Sequence, residues 1–230
     1  MTVRLSVIVP ALNEAARIQA QITRLVHLDG VDEVIVADGG SSDGTAHLAR
    51  AIAGVTVVEA PRGRGPQMNA GARQATGDVL WFVHADVCVP DDGPVAVRHA
   101  LRESSVIAGA FRIRTDAEGA TGWPSRLLWL ADLRARYSRL PYGDQALFVR
   151  RQVFDTLGGF EAMPLFEDLE FSRRLRRTGG VRVLPIAVRV SGRRFMARPI
   201  FSATLMNVLP VLYRLGVSPE TLARIYGHVR

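Results

Sequence analysis

Four short apolar runs set what the N-terminal part of this chain can become. They are Leu5-Ser6-Val7-Ile8-Val9, Glu33-Val34-Ile35-Val36-Ala37, Val55-Thr56-Val57-Val58-Glu59 and Val79-Leu80-Trp81-Phe82-Val83. Each has strand length and is nearly continuous, so both of its faces need covering. Helical patterns stand between them. Ile18, Ile22, Leu25 and Val26 repeat at helical spacing after Asn13, a candidate N-cap, and residues 46–52 follow a turn-rich loop. Strand and helix therefore alternate as in an α/β fold with a mostly parallel sheet flanked by helices. Ligands of such sheets bind beyond the carboxyl ends of the strands. Pro10, Asn13, Glu14 and Asp38 lie there, as do His84 and Asp86 after the fourth run.

Composition narrows the class. In 230 residues, 48% are hydrophobic and 22% charged, as expected of a globular chain able to bury a full core. The net charge is +7, and all the basic residues are arginine. Arginine forks suit phosphate and diphosphate. A non-catalytic module for nucleic acid or anionic membrane is the competing use of such charge, but the arginines are scattered and only 7% of residues are aromatic. The single Cys88 excludes a disulfide framework and a Cys-rich zinc site, and reads as a small core residue beside a strand. No export signal and no run of about twenty apolar residues appears, so a cytoplasmic location without a spanning helix is expected. The uncharged stretch 199–213 is interrupted by Pro210 and reads as a core or dimer helix, or as a peripheral membrane contact flanked by Arg193, Arg194 and Arg198.

Three stretches carry candidate chemistry. Arg62-Gly63-Arg64-Gly65-Pro66-Gln67-Met68-Asn69 joins arginines and glycines to a helix start, a favourable setting for an anion. Asp86 needs a partner at the end of an apolar strand, and a hard cation held mainly by substrate phosphates is one. His84 is either a second ligand or a histidine bonded to backbone. In Pro164-Leu165-Phe166-Glu167-Asp168-Leu169-Glu170, three carboxylates precede an Arg-rich helical run. They either complement the helix dipole, or one faces a cleft as a general base. Asp43 and Thr45 read as caps of the helix that follows them. Asn69 reads as a cap or a brace for the Gly-rich loop.

Farther on, Val106–Ile113 and Ala146–Val149 read as strands, and Pro124–Arg139 as a helix with Trp123 and Trp129 near it, either packed or lining a sugar surface. Asp144 and Gln145 fall in a loop where an acceptor could bind. No internal repeat or linker appears, which makes the second half an elaboration of one domain.

Together these pieces resemble the family 2 glycosyltransferases of GT-A fold. The matching stretches are Val7–Glu14, Ala37–Thr45, Asn69-Ala70-Gly71, the strand ending in Asp86, Gly158-Gly159-Phe160 and Glu167-Asp168, in the family's order. The compact length and Tyr142-Gly143-Asp144-Gln145-Ala146 look most like a bacterial subgroup associated with radical-SAM or selenium-related genes. The resemblance implies one domain over 1–230: a nucleotide-sugar half (1–115), an acceptor and catalytic part (116–190) and a helical tail (191–230). It further implies a nucleotide-diphosphate sugar, most often a UDP-sugar, bordered by Pro10, Asn13, Glu14, Asp38, Gly40, Arg64, Asn69, Asp86 and Glu167. Mn²⁺ or Mg²⁺ would sit at Asp86, with His84 where the family's Asp-x-Asp motif has its first carboxylate. Asp168 matches the catalytic base of an inverting transfer. Partners would be the donor, an acceptor of unknown identity and, through the tail, a membrane surface or a second copy, but no nucleic acid. A sugar-phosphate nucleotidyltransferase shares such a sheet, but its phosphate loop after the first strand is replaced here by Pro10-Ala11-Leu12-Asn13-Glu14, and the chain has no lysine.

Overall fold

The structure is a computed structural model, and it describes residues 3–116, 141, 143–192 and 199–227, with only the backbone described over 199–203 and 205–207. The anticipated helix 124–139, Trp123, Trp129, Tyr142, Arg193, Arg194 and Arg198 lie outside the described residues. Eight strands form one sheet in the order β3-β2-β1-β4-β7-β6-β8-β5. The strands are β1 (Leu5–Ala11), β2 (Glu33–Asp38), β3 (Val55–Glu59), β4 (Val79–Phe82), β5 (Val87–Cys88), β6 (Val106–Asp116), β7 (Phe148–Arg150) and β8 (Gly180–Ser191). β1, β2, β3 and β4 are mutually parallel, as their apolar runs require. β7 enters antiparallel to β4 and β6, making the sheet mixed.

Alternation of side chains across each central strand supplies two cores. Leu5, Val7 and Val9 of β1, Val34 and Val36 of β2, and Val79 and Trp81 of β4 face helices α1 (Ala15–Val26) and α4 (Gly93–Ala100). Ile8, Ile35, Leu80 and Phe82 face the opposite side, with α3 (Arg64–Gln74), α5 (Arg151–Thr156) and α6 (Glu167–Thr178). There Phe82, Phe154, Phe160 and Phe171 form an aromatic cluster with centroids as close as 4.6 Å, seating α6 on the sheet. Leu165, Phe166 and Leu169 begin a third, smaller core with Leu209 of α7 (Pro199–Arg214) and Leu222 of α8 (Pro219–Tyr226). Among the described residues, no helix is long and apolar enough to cross a membrane.

Several expectations need correction. β1 does not stop at its proline but runs through Pro10 to Ala11. Its pairing with β4 ends at Ile8, so Pro10 has a neighbouring strand on one side only and its missing donor is tolerated. Asn13 is not the N-cap of α1; it has φ 54 and its amide oxygen accepts from Ser42 N. The cap comes from the next loop instead. Thr45 Oγ1 accepts from Glu14 N and Asp43 Oδ2 from Ala15 N, while Asp43 Oδ1 accepts from Thr45 N at the start of α2 (Thr45–Arg50). The strand expected at Ala146 begins at Phe148, because Ala146 itself has φ 49. Cys88 is half-buried at a cleft rather than in the core. β8 escaped the sequence reading. Pro185 interrupts its pattern, and in the fold that proline falls where the β6–β8 register shifts between Val183 and Ala187.

Candidate active site

The carboxyl ends of β1 and β2 are knitted by short polar side chains. Asp38 is 4% exposed; its Oδ2 accepts from Gly40 N (3.1 Å) and Ser41 N (3.0 Å), and its Oδ1 from Ser41 Oγ (2.5 Å). Gly40 takes φ 83, open to glycine at no steric cost. Ser41 Oγ in turn accepts from Asn13 N. The fully enclosed Gln67 of α3 donates through Nε2 to Ala11 O (2.6 Å) and Ala37 O (3.1 Å), pinning that helix to the ends of both strands. Asn69 lies farther along α3 from Arg64. Its amide exchanges two hydrogen bonds with the Phe160 backbone, holding the Gly158-Gly159-Phe160 turn.

The N-termini of α3 and α6 abut. Gly65 permits this, since a Cβ there would stand 2.6 Å from Glu161 O and 3.5 Å from Glu167 Cβ. Across the contact Arg64 Nε lies 2.8 Å from Glu167 Oε1, and the Glu167 side chain is 2% exposed against 35% for Arg64. Glu167 holds Arg64 firmly protonated. Burial pushes the Glu167 carboxyl upward, and the Arg64 charge opposes that rise.

Asp168 follows, 8% exposed. Its Oδ2 accepts from Gly143 N at 2.5 Å and its Oδ1 from Leu169 N at 2.7 Å, fixing the carboxylate's orientation. Gly143 opens a single 3-10 turn (Gly143–Gln145) closed by the enclosed Gln145, whose Nε2 donates to Phe111 O. A Cβ at position 143 would sit 2.9 Å from His84 Cε1, 3.1 Å from His84 Nε2 and 3.2 Å from Asp168 Oδ2. The missing side chain is what lets the histidine after β4 approach the acid on α6. Gly39 thus packs on Gln67 of α3, Arg64 of the same helix meets Glu167, and Gly143 stands between Asp168 and His84.

Asp86 stands apart from these contacts. It is half-buried in the turn after His84 and lines a cleft of about 400 Å³ between α1 and the β5–β8 edge, with Arg17, Gln21, Cys88, Asp116 and Arg189. Gln21 Nε2 holds that turn through Val87 O at 2.7 Å. Pro10 is buried; Asn13 is exposed and Glu14 half-exposed at the rim of the strand ends. Among the described residues, no three His, Cys, Asp or Glu side chains group as a cation cage. A hard cation such as Mg²⁺ commonly takes only one or two protein carboxylates and draws its remaining oxygens from substrate phosphates and water.

The roles of three residues important to this geometry, Gln67, Gly143 and Phe166, escaped the sequence reading, although each falls inside a stretch quoted there. A lone glutamine among Gly, Ala and Met on one helix face was the signal for Gln67. Nothing local marks the other two. Among the described residues, the three non-glycine positions with positive φ, Asn13 (54), Ala146 (49) and Phe166 (72), border the site, and Trp81 Nε1 holds Ala146 through its carbonyl.

The fold is shared with solved GT-A glycosyltransferases. A Pyrobaculum calidifontis mannosyltransferase solved with GDP-Man and Mn²⁺ superposes with TM-score 0.69 at 21% identity, covering 96% of this chain and 67% of that one. Glucosyl-3-phosphoglycerate synthase from Mycobacterium tuberculosis, solved with Mn²⁺, UDP and glucosyl-3-phosphoglycerate, gives TM-score 0.57 at 21% identity over 89% of this chain and 79% of that one. Residues 6–164 match the family Glycosyl transferase family 2, and the chain belongs to it. Among curated relatives, an undecaprenyl-phosphate 4-deoxy-4-formamido-L-arabinose transferase of Pseudomonas aeruginosa (strain LESB58) is 27% identical over 165 residues, 66% of this chain and 48% of the relative. A Mycolicibacterium smegmatis glucosyl-3-phosphoglycerate synthase is 38% identical over 97 residues, 37% of this chain and 32% of the relative. The chain therefore spans about half the length of the first relative and less of the second.

Proposed function

We propose that the protein transfers a sugar from a nucleotide-diphosphate donor to an acceptor hydroxyl with inversion, using Asp168 as general base. The observation that carries this reading is the setting of Asp168: enclosed, aimed by two backbone N–H donors, and flanked by His84 and the Arg64–Glu167 pair. The donor lies over the ends of β1, β2 and β4, near Pro10, Asn13, Glu14, Asp38 and Gly40, with its diphosphate toward Arg64 and Asp86. Asp168 takes the acceptor proton as the acceptor oxygen bonds to the anomeric carbon. The bond from that carbon to the diphosphate breaks, and the nucleoside diphosphate leaves with the electron pair. One displacement inverts the centre. A positioned base contributes on the order of 10²–10⁴-fold. Arg64 meets charge developing on the leaving group. Asp86, with His84, would hold Mn²⁺ or Mg²⁺, which supplies charge neutralisation on the diphosphate. Glu167 steers Arg64 and takes no part as nucleophile.

Solved relatives carrying UDP-GlcNAc, GDP-Man or UDP support a sugar-nucleotide donor as a class. Within the family we assign the chain to the bacterial radical-SAM- or selenium-associated subgroup, on residues 142–146. The deciding experiment pairs calorimetry with turnover of UDP-glucose and GDP-mannose in the presence of Mn²⁺. Asp168→Asn should bind UDP or GDP within about twofold of wild type and lose turnover by at least 10²-fold. Near-normal turnover in that variant sinks the reading.

A further inference from the structure

Phe166, directly before Glu167 and Asp168, is the N-cap of α6 and has φ 72 and ψ 17. For a bulky aromatic residue the left-handed region is a genuine outlier, because Cβ crowds the following carbonyl. Such a conformation persists only where surrounding structure over-determines it. The surroundings here come from the C-terminal helices. Phe166 is 7% exposed, and its ring stacks on Tyr213 of α7 with centroids 5.0 Å apart and planes 22° apart. The guanidinium of Arg173, on α6 itself, lies over the Tyr213 ring, 5.0 Å from its centroid. Leu209 and Leu222 close the cluster around Leu165 and Leu169.

We infer that the C-terminal helix pair is a clamp that positions Asp168. By gripping the Phe166 ring, Tyr213 keeps residue 166 left-handed, and that backbone turn aims the next two side chains, Glu167 at Arg64 and Asp168 at Gly143. Tyr213 touches none of the reacting groups; it is a positioning residue acting through Phe166. The alternative conformer relaxes residue 166 to negative φ, swings the first turn of α6 and breaks the Asp168–Gly143 contact. The inference rests on Asp168 as base only for its catalytic consequence. The clamp itself is a statement about structure.

The test needs no acceptor. Amide hydrogen exchange at Gly143 reports the bond to Asp168 directly, and amides of β1 and β4 serve as internal controls. Tyr213→Phe keeps the stacked ring and should leave Gly143 exchange unchanged. Tyr213→Ala should speed it on the order of tenfold, with β1 and β4 unaffected. In a Phe166→Gly background, where left-handed backbone carries no steric penalty, adding Tyr213→Ala should change Gly143 exchange less than about twofold. Turnover of UDP-glucose or GDP-mannose should fall with Tyr213→Ala while the dissociation constant of UDP or GDP with Mn²⁺ holds. Gly143 protection within twofold of wild type in Tyr213→Ala, uniform acceleration including β1 and β4, or equal effects of Tyr213→Ala in both backgrounds each overturns the clamp. Loss of Gly143 protection without loss of turnover leaves the clamp standing and overturns Asp168 as base instead.

Discussion

Adding one methyl group at Gly143 tests the crowding around Asp168. Gly143 is not among the glycines with positive φ, so alanine fits the backbone, and Gly→Ala at a permitted position ordinarily stabilises by about 0.4–1 kcal/mol through the unfolded state. Here the new Cβ would lie 2.9 and 3.1 Å from two atoms of the His84 ring and 3.2 Å from Asp168 Oδ2. Ordinary contact begins near 3.4 Å, so the ring, the carboxylate or the turn must retreat by several tenths of an ångström. The first casualty is the 2.5 Å bond from Gly143 N to Asp168, since the turn that carries the donor also carries the methyl. A hydrogen bond to a charged acceptor is worth roughly 1.5–3 kcal/mol. Set against the backbone gain, the net is a destabilisation of about 1–2 kcal/mol, or a Tm drop of roughly 2–8 °C for a chain of this size. Catalysis should suffer more, because a misplacement approaching 1 Å costs on the order of 10²-fold. Differential scanning calorimetry and turnover with UDP-glucose or GDP-mannose plus Mn²⁺ measure the two effects. A Gly143→Ala protein that is more stable than wild type and fully active would refute the packing of His84 and Asp168 around this residue.

The Arg64–Glu167 pair should respond asymmetrically. Arg64→Ala strands a buried carboxylate and should cost about 3–5 kcal/mol at pH 7, whereas Glu167→Gln removes the buried charge and should cost less, as urea titration will show. In Arg64→Ala burial holds the Glu167 carboxyl above its unfolded value, the folded state binds the extra proton, and stability should rise as pH falls from 8 to 5. Glu33 should behave in the opposite sense. Burial pushes it up, but donors at Ser6 Oγ, Thr76 N and Gly77 N outweigh that and leave it below 4.5. Its contribution is therefore complete above pH 4.5 and lost as pH drops through the lower folded value, and a Glu33→Gln protein should lack that component in acid-denaturation curves. Gln67→Leu removes the bonds to the Ala11 and Ala37 carbonyls, of which Ala11 O keeps its bond from Gly39 N, and should cost about 1–3 kcal/mol in a urea melt.

The parallel part of the sheet was legible in the chain because its strands bury both faces, and that demand is written locally as unbroken apolar runs ending at Asp38 and His84. The α1 stripe of Ile18, Ile22 and Leu25 was legible for the same reason. β8 was not. It is an outer strand with much of its length partly exposed, and its identity comes from β6 beside it rather than from its own residues. Capping shows the same divide. Asn13 has the chemistry of a cap, yet α1 is capped by Asp43 and Thr45 from the next loop, a contact that exists only after β1 and β2 have paired. For the site, the sequence marked which side chains carry charge, among them Asp38, Arg64, Asp86, Glu167 and Asp168. Only the tertiary structure decided that Arg64 meets Glu167, that Asp168 leans on a glycine shared with His84, and that Asp86 faces a cleft on the α1 side. Charge and hydropathy belong to single residues and survive in an unfolded chain. Proximity across more than twenty residues depends on the packing that closes the loop between them.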